Sequence, residues 1–289
     1  MLTEILTAGS VMIGLGGALS AILAVANKKL YVYEDPRIDA VEDMLPKANC
    51  GACGTPGCRA FAEMTVKGEI SPGKCTVNSP EMTQEIASFL GVSAGKEEKR
   101  VARLACAGGN HVARVRAHYQ GIPTCRAAAL VAGGGKGCAW GCLGFGDCQE
   151  VCSFGAITMD KHGLPVVDTE KCTACGDCVA ICPRALFSIQ PMSVRLWVAC
   201  KSLAKGEEAE AECEVACTGC GLCAADAAPG VIAIQNNLAV VDYSRNGLAS
   251  QDAIQRCPTG AIVWLDENEG TIKGAAARKI TRKSALPVG

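Results

Sequence analysis

The run Cys172-Thr173-Ala174-Cys175-Gly176-Asp177-Cys178-Val179-Ala180-Ile181-Cys182-Pro183 places three thiols at two-residue intervals and a fourth before a proline. That spacing suits electron-transfer chemistry: three thiolates converge on one iron-sulfur cluster, while the cysteine before proline reaches a second cluster held by a paired run. The paired run lies upstream, stretched but complete, as Cys138, Cys142, Cys148 and Cys152. Crossed ligation then assigns one [4Fe-4S] cluster to Cys138, Cys142, Cys148 and Cys182, and another to Cys172, Cys175, Cys178 and Cys152. Tetrahedral zinc has no use for a third cysteine two residues on followed by Cys-Pro.

A second pair of runs repeats the first, with Cys148 and Cys223, like Cys182 and Cys257, 75 residues apart. Only half its ligands remain. Ala227 stands where the cysteine three residues beyond Cys223 belongs, and counting back from Cys257-Pro258 puts Gly247, Ser250 and Ala253 at the other half's first three positions. Those four positions would serve one cluster, so Cys217, Cys220, Cys223 and Cys257 are left as the complete ligand set of its neighbour.

A further group, Cys50, Cys53 and Cys58 on a glycine-rich loop with Cys75 as fourth thiol, fits another [4Fe-4S] cluster; a structural zinc site is the alternative at this spacing. Cys106, Cys125, Cys200 and Cys213 fall outside the four sets. Each pair opens at a strand-like run, Arg103-Leu104-Ala105-Cys106 and Trp197-Val198-Ala199-Cys200, and buried structural thiols stand equal with any redox or ligand role. No chemistry is assigned to them.

Elements must position these thiols, and the chain of 289 residues divides accordingly. The expected fold is multidomain α+β: a transmembrane anchor (1–29), a membrane-proximal 4Fe-4S domain (30–92), a connecting segment (93–130), a two-cluster ferredoxin-like module (131–192), a one-cluster degenerate module (193–268) and a basic tail (269–289). Aromatic residues make up only 4%, so metal ligation must supply stability that small cores lack. Ile5 to Ala26 carries no formal charge and, at about 1.5 Å per residue, spans about 33 Å, enough for a hydrocarbon core of about 30 Å. Glu4 before it and Lys28 and Lys29 after it place the bulk of the chain in the cytosol, under a single-pass cell membrane anchor, where thiols stay reduced. A cleaved signal peptide fits less well, since no Lys or Arg precedes the apolar run. Helix is expected from Arg59 to Lys67, and hairpins from Ala156–Met159 with Leu164–Asp168 and from Val231–Ile234 with Leu238–Asp242.

Other features carry less. Gly133-Gly134-Gly135-Lys136-Gly137 lacks the spacing and Ser/Thr of a phosphate loop, and the three histidines are too scattered for a dyad. No catalytic residue, flavin site or NAD site is visible. Net charge is −1, which gives no reason to expect nucleic acid. Lys273, Arg278, Lys279, Arg282 and Lys283 form a basic tail of the kind that is usually solvated and disordered.

The single N-terminal span, Asn49-Cys50-Gly51 through Cys75, Gly141-Cys142-Leu143-Gly144-Phe145-Gly146-Asp147-Cys148 and the paired Cys-Pro runs together resemble the iron-sulfur B subunit of the Rnf complex. The resemblance covers nearly the whole chain. It implies the electron-transfer subunit of a membrane-bound ferredoxin:NAD oxidoreductase that couples electron flow to Na+ or H+ translocation, with flavins and the NAD site on other subunits. It also implies soluble ferredoxin, other membrane subunits and the lipid bilayer as partners. The chain departs from that pattern in its truncated second module. Two alternatives stay open: a membrane-tethered polyferredoxin of another oxidoreductase, with quinone or phenazine as acceptor, and a zinc-stabilised interaction scaffold.

Overall fold

The computed structural model describes residues 2–30, 34–267 and 269–288. Residues 31–33 of the expected membrane-proximal domain, Asn268 of the expected second module, and the two terminal residues lie outside them. Helices and strands are mixed throughout. The N-terminal helix α1, Leu2–Leu30, has no proline to interrupt it and ends on Lys28 and Lys29, which complement the negative end of its dipole. Its stretch Gly9–Leu30 has mean hydropathy 1.9, long and apolar enough to cross a membrane. Met12 and Ile13 are 76% and 78% exposed, an apolar surface that water would not tolerate and lipid would.

Three helices follow: α2 (Pro36–Asp43), α3 (Cys58–Val66) and α4 (Pro80–Leu90). Proline at the first turn starts α2 and α4, and the Asp35 and Ser79 side chains cap them by accepting from the Arg37 and Met82 amides. Helix α3 begins one residue before the expected start. Ile38, Val41, Leu45, Phe61, Ala62 and Ile86 form the core among them. Arg59 fans over Glu34, Asp39 and Glu42 at 2.5–2.8 Å and so pins α3 onto α2, directly beside Cys58.

The cysteine-rich remainder is built from short elements: β1 (Arg100–Leu104), α5 (Cys125–Leu130), α6 (Asp147–Glu150), β2 (Ile157–Met159), β3 (Pro165–Val167), α7 (Asp177–Ile181), β4 (Phe187–Pro191), β5 (Leu196–Val198), α8 (Gly206–Glu212), α9 (Leu222–Asp226), β6 (Ile232–Gln235), β7 (Leu238–Val241), α10 (Asp252–Gln255), β8 (Ile262–Asp266) and β9 (Gly270–Lys273). Both expected hairpins form, as β2–β3 and β6–β7. In the second, Asn236 and Asn237 have φ of 48° and 63°, the left-handed pair that a two-residue hairpin turn requires.

Long-range pairing adds what local pattern did not show. The segment expected as a connector supplies β1, which pairs antiparallel with β4, Arg100 opposite Pro191 through Leu104 opposite Phe187. Strand β5 pairs in the same way with β8, which also carries β9. Trp197 joins the two halves: its indole donates to the Leu104 carbonyl at 2.8 Å and stacks on Tyr243.

Apolar packing occupies two of the four positions that lack cysteine in the second module. Ala227 and Ala253 belong to one hydrophobic cluster with Ile254, Ala249 and Tyr243, and Arg256 closes on Asp226 at 2.5–2.7 Å to tie α10 to α9. The basic tail also differs from expectation. It lies on the fold, with Arg278 paired to Glu210, Arg282 paired to Glu214, and the Leu286 amide donating to Asn110. The acidic stretch at and after α8 attracts it, a pairing across 68 residues that composition alone did not show.

Candidate iron-sulfur sites

One local device recurs three times. Gly146, Gly176 and Gly221 take left-handed φ of 83°, 93° and 80° and turn the chain into α6, α7 and α9, whose first turns carry the buried Cys148, Cys178 and Cys223. A Cβ at those φ values would be strained, so Gly-x-Cys is the local sequence that bends a loop around the thiol. Backbone amides then reach other sulfurs: Ala156 N–H donates to Cys152 Sγ at 3.3 Å, Ala102 to Cys172 at 3.4 Å and Leu186 to Cys182 at 3.5 Å. Amide donors of this kind suit a sulfur ligand that carries negative charge.

The thiols assemble around small cavities. Cys50, Cys53, Cys58 and Cys75 line one of about 20 Å³, with Phe61 behind it. Its entry loop is set by Asn49, whose side-chain oxygen accepts from the Cys58 amide at 2.8 Å. Cys152, Cys172, Cys175 and Cys178 line a second of about 20 Å³, which brings Cys152 of the upstream run beside three thiols of the downstream run. Cys217, Cys220, Cys223 and Cys257 line a third of about 10 Å³. Burial pushes the Cys178 and Cys223 thiols up to about 12, and the neighbouring thiols of each quartet add to the shift. Four such thiols resist joint ionisation unless cationic iron neutralises them. Among the described residues, no three His, Cys, Asp or Glu side chains gather tightly enough for a single metal ion.

The remaining expected quartet is arranged differently. Cys148 and Cys182 pack in one hydrophobic cluster, and Cys125, at the start of α5, is tied to the same loop. The Cys125 amide donates to Asp147, next to Cys148, at 2.8 Å, and the charge of its thiol would be felt at Cys142, Cys148 and Cys182. Cys138 points elsewhere, into a cavity it shares with Cys106, Cys200 and Cys213. Reading only the Cys-x-x-Cys runs gave no sign that Cys125 joins the loop 22 residues after it.

Two family descriptions match the chain, "Putative Fe-S cluster" over residues 45–77 and "4Fe-4S dicluster domain" over residues 138–192. Whole-length relatives agree. The chain is 42% identical to the B subunit of the proton-translocating ferredoxin:NAD(+) oxidoreductase complex of Clostridium ljungdahlii, over 87% of this chain and 89% of that protein. It is 40% identical to the B subunit of the Na(+)-translocating complex of Acetobacterium woodii (87% and 75%) and 36% identical to the B subunit of the ion-translocating oxidoreductase complex of Methanosarcina acetivorans (88% and 96%). The chain belongs to the family of Rnf B subunits. Within an Rnf B subunit, the two matched stretches hold the thiols from Cys50 to Cys75 and from Cys138 to Cys182, which makes iron-sulfur chemistry the shared property of this region.

Proposed function

We propose that the chain accepts electrons from reduced ferredoxin and relays them, one at a time, to membrane subunits of an Rnf-type complex for NAD reduction coupled to Na+ or H+ translocation. Four [4Fe-4S] clusters are assigned, to Cys50/Cys53/Cys58/Cys75, Cys152/Cys172/Cys175/Cys178, Cys125/Cys142/Cys148/Cys182 and Cys217/Cys220/Cys223/Cys257. When bound, each supplies a one-electron couple. The chain's own groups hold the sulfurs, exclude water and set charge around them.

The observation that carries this reading is that three of the quartets abut. Thr76, next to Cys75, donates through its hydroxyl to the carbonyl of Thr173, next to Cys172, at 2.7 Å. Cys148 and Cys178 of the next two quartets share one hydrophobic cluster. The far quartet contains Cys220, the one exposed cysteine among the described residues, which favours electron entry at that end. Exit then falls to the quartet nearest α1 in sequence, with α1 as the single membrane span and the rest of the chain on the cytosolic side.

Reduced ferredoxin added anaerobically to the purified chain bleaches its visible cluster absorbance. If the absorbance stays unchanged while dithionite bleaches it, ferredoxin is not the donor.

A further inference from the structure

The two ferredoxin-like halves meet at a seam, and four cysteines from four separate segments converge there. Backbone pairing explains how. Ala107 N–H donates to the Ala199 carbonyl at 2.9 Å, so the chain leaving β1 and the chain leaving β5 run together and bring Cys106 beside Cys200. The strip from Ala113 to Arg116 is held on two sides: Ala113 bridges Cys213 and Val115 bridges Lys136, which brings Cys213 beside Cys138. All four line a cavity of about 20 Å³, equal in size to those around Cys50 and Cys178.

We propose that Cys106, Cys138, Cys200 and Cys213 hold a fifth [4Fe-4S] cluster, which joins the two ferredoxin-like halves into one electron path.

The surroundings fit that group. Cys142 N–H donates to Cys106 Sγ at 3.4 Å, and the amides of Ser202 and Cys217 donate to Cys200 Sγ at 3.4 and 3.3 Å. Two of those three donors, Cys142 and Cys217, are themselves members of the flanking quartets. Each therefore places a single hydrogen bond between a seam sulfur and the backbone of a neighbouring ligand. Gly108 keeps room for the site: a Cβ there would stand 3.0 Å from Cys213 Sγ and 3.7 Å from Cys106 Sγ. Lys136 supplies fixed positive charge. Its ammonium donates to the carbonyls of Gly108 and Cys142 at 2.5 and 2.6 Å, where it offsets the negative charge of four thiolates around a cluster. The glycine-rich stretch around Lys136, which fits no phosphate loop, is here the support of a metal site.

With this quartet, all 20 cysteines of the chain fall into five sets of four. Electron passage across the seam is a one-electron exchange: one flanking centre is oxidised as the seam is reduced, then the seam is oxidised as the next is reduced. No bond or proton is exchanged. The assignment rests on the cluster-bearing reading of the flanking quartets and is independent of which donor feeds them.

Iron and acid-labile sulfide counted on the full chain, purified anaerobically by itself, should each reach about 20 per chain, five clusters of four. The double variant Cys106→Ala/Cys200→Ala should fall to about 16 while retaining ferredoxin binding to the complex. A wild-type count near 16 that the double variant leaves unchanged, or one zinc per chain that the variant releases, overturns the proposal. Should the variant misfold and lose more than one cluster, the wild-type iron and zinc counts decide the matter alone. Reduction by ferredoxin is read separately, so failure of the donor assignment leaves these counts untouched.

Discussion

Replacing Cys58 with alanine stops electron flow from ferredoxin to NAD through the assembled complex, while the remaining quartets still take up electrons from ferredoxin. Cys58 opens α3 and lines the cavity that Cys50, Cys53 and Cys75 complete, and its amide is held by Asn49. The fold around it stands on other residues. Ile38, Val41, Phe61 and Ile86 form that domain's core, and the Arg59 ion pairs sit on the outer face. Loss of one thiolate from the quartet nearest α1 in sequence therefore interrupts the relay without dismantling it. Turnover should drop by more than about 100-fold, beyond the roughly 10–100-fold that follows loss of a group which only orients a ligand. Ferredoxin-driven bleaching of the other centres should persist at roughly three quarters or more of its wild-type amplitude. Normal turnover in the variant would place the exit elsewhere.

Removing iron unfolds the first ferredoxin-like module. Its buried cluster consists of Ala102, Cys148, Ile157, Cys178 and Phe187, so two of its five core residues are proposed ligands. A core of that size supplies less than roughly 3–5 kcal/mol, and burial of unligated thiols at close quarters adds nothing favourable if they ionise. The second module has a larger apolar core, which includes Leu196, Val231, Ile254 and Ile262, with Ala227 and Ala253 packed into it. Anaerobic chelation followed by hydrogen exchange should therefore show protection vanishing over β2, β3 and α7 and falling less over β6, β7 and β8. Equal protection before and after chelation would show that thiol ligation contributes little to this fold.

Much of the arrangement was legible because its causes are local. Period-two apolar residues around turn residues marked both hairpins, and Cys-x-x-Cys with Cys-Pro marked the crossed quartet of Cys152, Cys172, Cys175 and Cys178, which indeed share a cavity. Cysteine is absent at 227, 247, 250 and 253, and two of those positions, Ala227 and Ala253, pack in the apolar core. The placement of Cys138 has a different origin. Its position relative to Cys142 looks like the first step of a stretched motif, but the bridge between Val115 and Lys136 draws the chain toward the seam, where Cys138 lines a cavity with Cys106, Cys200 and Cys213. Such contacts join segments far apart in the chain, and no spacing rule within a motif encodes them. The usable signal was duplication: Cys106 and Cys200 each stand two residues past a strand, β1 and β5, that pairs with the strand following a Cys-Pro.

The central claim is that these thiols hold iron-sulfur clusters for electron transfer, and metal analysis of the anaerobically purified chain tests it most directly. The account predicts iron and acid-labile sulfide in equal amounts, at multiples of about four per chain, with EPR signals that appear on reduction. Stoichiometric zinc with no acid-labile sulfide would contradict it.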